Sequence, residues 1–186
     1  MPDTENLLIQ KAKNFNQATL GEIYDRYSPA IYRYAMRLLG DESLSEDCVA
    51  ETFFRFLNAL KNNKGPKEHL QAYLFRIAHN WITDQYRSQV PANVELRDDL
   101  CSDAVDLENQ VEQNIRVQFT HKALSTLNKD QREIIILKYL EGYENYEIAT
   151  IIGKNIGSVK ALLHRATVNM SLKVSELEQE NVRTKK

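Results

Sequence analysis

The 186-residue chain has little of what small stapled or metal-bound folds are built from. Its two cysteines, Cys48 and Cys101, lie far apart without a CxxC spacing, and its four histidines (His69, His79, His121, His164) never pair at i, i+3 or i+4. Disulfide and metal frameworks are therefore disfavoured, and no cofactor is expected. There is no P-loop, GxSxG, HExxH or DxDxDG-like constellation, so the sequence offers no catalytic centre and an enzyme is not expected. No apolar run approaches the roughly 18 residues of a membrane span, and the start "MPDTENLLIQ" has neither the basic end nor the apolar stretch of a signal peptide. A cytoplasmic protein without membrane insertion is expected. Runs of β-branched residues bounded by turn signals are nearly absent as well.

What is present is helical periodicity. The expected fold is all-α: two small helical domains joined by a flexible acidic linker, the second containing a helix-turn-helix. Helices are expected over about 17–27, stopped at Ser28-Pro29, and from Pro29 to Leu39 with Gly40 as the C-cap. A third helix starts near Ser43 or Ser45 and buries Val49, Phe53, Phe56 and Leu60; a fourth runs from about Glu68 to Arg87 after the basic loop "KNNKGPK". The domains divide as 1–90, a linker at 91–116, 117–174, and a polar tail at 175–186 expected to fray.

Charge follows the same division. The formal net charge is only −2, a weak argument against nucleic-acid binding, but it is unevenly spread. Residues 1–90 are neutral, 91–118 carry −5, and 119–186 carry +3.

The stretch "YEIATIIGKNIGSVKALLHRA", Tyr146–Ala166, reads as helix, glycine turn, helix. Asn145 is expected to cap the first helix, Gly153 to permit the turn and Asn155 to cap the second, whose buried stripe is Val159, Leu163, Ala166 and Met170. At about 100° per residue the opposite face presents Gly157, Ser158, Ala161, His164, Arg165 and Val168, with Lys160 to one side and Lys154 in the turn. Glu147 is the sole acidic residue from Tyr146 to Lys173, against four lysines and arginines. A helix N-terminus with small residues and cations suits a phosphate backbone and base edges, although a helical hairpin that merely closes a core shows the same pattern.

"LSTLNKDQREIIILKYLEGYENYEIATIIGKNIGSVKALLHRA" resembles the −35-binding region of sigma-70-type RNA polymerase sigma factors of the extracytoplasmic-function (ECF) group. "YRYAMRLLGDESLSEDCVAETFFRFL" is similar to the group's core-polymerase-binding segment, and "LQAYLFRIAHNWITDQYRS" to its −10-reading segment. A free-standing regulator with a receiver domain fits less well, since the alternating strand-helix pattern and acidic pocket are missing. Asn128 stands where the family often has Pro, Tyr73 where it often has Trp, and Leu162 where many members carry a basic residue. Leu162 sits at the edge of the buried stripe and is expected to pack against the scaffold.

The resemblance implies partners and residues. Core RNA polymerase would be met through its β′ clamp helices and β flap, with Asp47, Glu51, Arg55 and Asn58 as the polymerase-binding stripe of the third helix. Promoter −10 DNA would be held by Lys61, Lys64, Lys67, Tyr73, Arg76, Asn80, Asp84 and Arg87, where cations hold the backbone of an unpaired strand and a flipped base finds a pocket. The −35 element would meet Lys154, Asn155, Gly157, Ser158, Lys160, Ala161, His164 and Arg165. Trp81 is assigned to the core of the fourth helix with Leu70, Leu74 and Ile77, and Phe75 is left open between core and stacking platform. The acidic linker would thread near the polymerase active centre, and regulation would lie with a separate anti-sigma factor.

Overall fold

A computed structural model describes the backbone of residues 2–88 and 122–184, and the side chains of 5–88 and 122–177. The acidic stretch 91–116 and Cys101 lie outside the described residues. Four helices form the first domain: α1 (Pro2–Lys13), α2 (Gln17–Leu39), α3 (Glu42–Lys61) and α4 (Leu70–Ser88). The second holds a helical turn at 122–126, then α5 (Lys129–Ile135), which widens into a π-helical turn (Ile136–Leu140), α6 (Asn145–Ile152) and α7 (Ile156–Thr184). There is no strand among the described residues.

Several boundaries differ from those expected. Pro29 does not end a helix: α2 runs unbroken from its Asn16 N-cap, whose side chain accepts from Thr19 N, to Gly40, a left-handed C-cap at φ 65°. An interior proline removes one backbone bond and costs about 3 kcal/mol. Burial of Ile23 and Tyr27 before it, and of Ile31, Tyr34 and Leu38 after it, offsets that cost by holding both halves on one core. Helix α1 was not anticipated; its Leu8, Ile9 and Ala12 pack inward, and Glu5 accepts from Leu70 N at 2.9 Å, capping the start of α4. Helix α4 accordingly begins at Leu70 rather than Glu68, because His69 sits at φ 54°, outside helical space. Asp41, not Ser43 or Ser45, caps α3 by accepting from Leu44 N, while Ser45 is buried with its hydroxyl donating to Asp41 O. Glu144 rather than Asn145 opens α6, in a reciprocal capping box with Glu147. The last helix continues past residue 174 to Thr184. Leu177 is buried and Lys173 pairs with Glu176 at 2.7 Å, so a segment rich in good helix formers extends α7 instead of fraying.

The core is continuous across both domains, from Ile9 in α1 to Ala166 in α7. Phe75 of α4 is the hinge point of that continuity. It is fully buried, with Tyr34 of α2 on one side (ring centroids 5.2 Å apart) and Tyr143, after the π turn, on the other at 5.1 Å and 67°. The open question about Phe75 is thus answered by its place in the core, as is the assignment of Trp81. Buried Cys48 has its thiol pushed up to about 12 by desolvation, so it is an inert packing residue.

Candidate nucleic-acid and polymerase interfaces

The helix-turn-helix is built as its residues dictate. Gly153 takes φ 66°, a conformation that strains any residue with a Cβ, and lets α6 stop within one residue. Asn155 then caps α7 by accepting from Ser158 N at 2.8 Å, so its side-chain oxygen is committed to the helix start. Val159 and Ala166 are buried and Leu163 and Met170 half-buried, which turns the opposite face outward. Lys154, Asn155, Gly157, Ser158, Lys160, Ala161, His164 and Arg165 are all exposed and lie together along the first three turns of α7 and the preceding turn. Leu162 is half-buried against the core, on the scaffold side of the helix.

On α4, the buried Leu70, Leu74, Phe75, Ala78, Trp81 and Ile82 leave Arg76, Asn80, Asp84 and Arg87 exposed. Asp84 and Arg87 face each other at 3.6 Å one turn apart. Lys61 at the end of α3 and Lys64 and Lys67 in the loop after it are exposed, and Asn63 there adopts φ 55°. Tyr73 is half-buried, edge-on to Phe56 with centroids 6.4 Å apart, so only part of its ring is available for stacking. Arg87 stands apart from the rest of this set: it lines a cavity of about 250 Å³ between the domains, along with His79, Lys129, Glu133 and Lys154.

On α3, Asp47, Arg55 and Asn58 are exposed and Glu51 is intermediate, its carboxylate 2.7 Å from Arg55 Nε. The sequence reading missed the apolar part of this face. Phe54 is 62% exposed and Leu57 38%. At about 100° per residue Phe54 falls within roughly 60° of Asp47, Glu51 and Asn58. Tyr24 of α2, also exposed, borders the same side through Phe53, at 4.8 Å between centroids. The signal was available in "ETFFRF": three phenylalanines in four residues cannot all point to one side of a helix. A second missed feature is an apolar groove of about 320 Å³ in the C-terminal domain, lined by Leu124, Ile135, Tyr139, Leu140 and Met170, with Tyr139 59% exposed. Among the described residues no helix is long and apolar enough to cross a membrane, and no cluster of three metal-ligating side chains occurs.

Comparison with known proteins agrees with this geometry. Residues 23–91 match Sigma-70 region 2 and residues 120–170 match Sigma-70 region 4. The chain is 30% identical over 163 residues to the ECF RNA polymerase sigma factor BldN of Streptomyces coelicolor, covering 86% of this chain and 61% of BldN. It is also 30% identical over 161 residues to the ECF sigma factor SigL of Mycobacterium tuberculosis, covering 86% of this chain and 91% of SigL. CnrH, solved in complex with the cytosolic domain of CnrY, shares the fold at TM-score 0.71 and 23% identity over 92% of this chain and 97% of that one. The sigma factor RpoE of Bartonella quintana, solved with the anti-sigma factor NepR, superposes at TM-score 0.63 and 27% identity over 88% and 98%. The chain belongs to the sigma-70 family of RNA polymerase sigma factors, in its ECF group. Proteins of this class direct promoter-specific transcription, and they do so by binding rather than by covalent chemistry.

Proposed function

We propose that residues 1–90 bind core RNA polymerase and the −10 element, that 91–116 serve as the acidic linker, and that 117–174 bind the −35 element. The observation that carries this reading is the face of α7 and the turn before it, where eight candidate residues are exposed together, six of them on a helix whose other side is core. Lys160 and Arg165 supply phosphate or base contacts, Gly157 and Ala161 allow close approach, and Ser158 and His164 offer hydrogen bonds to base edges. On α3, Phe54 set among Asp47, Glu51, Arg55 and Asn58 has the make-up of a helix-pairing hot spot for the β′ clamp helices. The groove at Tyr139 and Leu140 suits an apolar helix such as the β flap would present. The protein acts in the cytoplasm without catalysing a reaction. An anti-sigma factor is its expected regulator, supported by the NepR complex of the similar RpoE.

In vitro transcription with core polymerase on a panel of genomic promoters tests the reading; absence of both promoter-dependent initiation and a complex with core would refute it. Arg165→Ala is expected to weaken −35 duplex binding about 10-fold or more while core-polymerase affinity is retained. Equal DNA affinity for mutant and wild type, measured by fluorescence anisotropy at fixed salt, would remove Arg165 from the interface.

A further inference from the structure

The start of α4 has no side-chain cap from its own neighbours. The first amides of a helix need acceptors, which Ser, Thr, Asp or Asn commonly supplies from the residue just before it. Here that residue is His69, held at φ 54° and without a side-chain oxygen; it gives only its backbone carbonyl, which accepts from Tyr73 N at 3.0 Å. The acceptor for Leu70 N comes instead from Glu5 of α1, 65 residues earlier, whose Oε1 lies at 2.9 Å. A carboxylate in that place also meets the positive end of the α4 dipole. The helix end is thereby filled from within the chain. Helix α1 precedes residues 23–91, the part that matches Sigma-70 region 2, so this cap is supplied from outside the matched segment.

What the cap holds is the segment between α3 and α4. Its first half is fixed from α3: Asn62 N and Lys64 N donate to Asn58 O and Ala59 O, Asn63 takes φ 55°, and Pro66 is buried. A Cβ on Gly65 would lie 2.6 Å from Cδ2 of the buried Leu60, so the backbone there rests directly on the end of α3. From Lys67 to His69 the segment is exposed, and its far end is pinned by the Glu5 bond. Lys64 and Lys67 are exposed on this frame, with Tyr73 and Arg76 following in the first two turns of α4. We propose that Glu5 is a positioning residue for promoter opening: by capping α4 from α1 it holds Lys64 and Lys67 in the placement relative to Tyr73 and Arg76 that capture of the unpaired −10 strand requires. The inference rests on α4 and this segment being the −10 reader. Without the cap the segment must be ordered as the strand is captured, and that cost is subtracted from binding. The expected direction is opposite to simple electrostatics, in which removing a carboxylate near exposed lysines strengthens attraction for DNA.

Three substitutions separate reach from charge. Glu5→Ala removes the acceptor, Glu5→Asp keeps the charge but is one methylene short, and Glu5→Gln keeps the reach and an acceptor oxygen without the charge. Each full-length variant is assembled with core polymerase on a promoter found by the transcription assay, and opening at −10 is followed by 2-aminopurine fluorescence. Opening should slow at least about five-fold for Glu5→Ala and Glu5→Asp and stay within about two-fold of wild type for Glu5→Gln. Core affinity and −35 duplex binding should stay as in the wild type, and the melting temperature of the free chain should move by less than about 5 °C. Wild-type opening in Glu5→Ala overturns the proposal, as does faster opening in Glu5→Ala and Glu5→Gln, which would mark Glu5 as a repelling charge. Glu5→Gln as slow as Glu5→Ala would place the effect on charge rather than the cap and likewise overturns it. A Glu5→Ala chain that unfolds and loses core affinity shows a structural role and overturns it as well. Normal opening with Arg76→Ala and Asn80→Ala combined would reject α4 as the −10 reader, and the proposal with it. Loss of opening in that double variant beside unaffected Glu5 variants rejects the role of Glu5 alone.

Discussion

Phe54→Ala is expected to weaken association with core RNA polymerase by about 2 kcal/mol, roughly 30-fold, without lowering the melting temperature. Phe54 is 62% exposed on a helix whose own domain is already packed by Phe53, Phe56 and Leu60, so truncating it opens no cavity and stability should move by less than about 0.5 kcal/mol. An aromatic side chain left in water among Asp47, Glu51 and Asn58 also has the composition of an interface centre with a polar rim. Titration of labelled core polymerase with wild type and mutant measures the loss, and calorimetry of the free chains measures the stability. Indistinguishable affinities would move the polymerase contact off this face of α3. A mutant that melts early would show that Phe54 serves the fold.

Phe75→Ala should have the opposite signature. Removing a fully buried ring between Tyr34 and Tyr143 costs about 3–5 kcal/mol, which for a chain of this size is a fall in melting temperature of about 10 °C or more. Part of that loss should appear as weakened contact between the domains, because the ring is shared by both. Urea denaturation of the full chain reads the first effect. If stability is preserved and binding to single-stranded DNA is lost instead, Phe75 is a stacking platform and its place in the core is wrong.

The difference between these two phenylalanines shows where sequence reading succeeds and where it stops. Periodicity placed Val49, Phe53, Phe56 and Leu60 inside, and the glycine turn with Asn155 located the helix-turn-helix, because both signals are local and each has one structural solution. It could not decide Phe75, whose buried state depends on Tyr143, 68 residues away. Pro29 misled for the same reason: its local preference for ending a helix was overridden by core residues on both flanks. Helix α1 escaped notice because its inward residues, Leu8, Ile9 and Ala12, form too short a stripe to stand out among polar neighbours. The exposed set on α7 was legible from spacing alone, whereas Arg87 lining an interdomain cavity was not, since no pattern along the chain records which domain faces will meet.

The π turn at Ile136–Leu140 gives the contact between the halves a geometric phase. Here the backbone bonds run from Glu141 N to Ile136 O at 3.0 Å, one residue wider than an α-turn. Everything after that turn is therefore advanced by one residue, about 100° of helical rotation, relative to an uninterrupted helix. Glu141 and Tyr143 both follow it, so the ion pair with Arg37 and the ring contact with Phe75 depend on one shared count of residues. A side-chain substitution can delete either contact alone. Loss or gain of a single residue in the turn would rotate both away together, which makes chain length at this point as decisive for the pairing of the domains as the chemistry of the groups that touch.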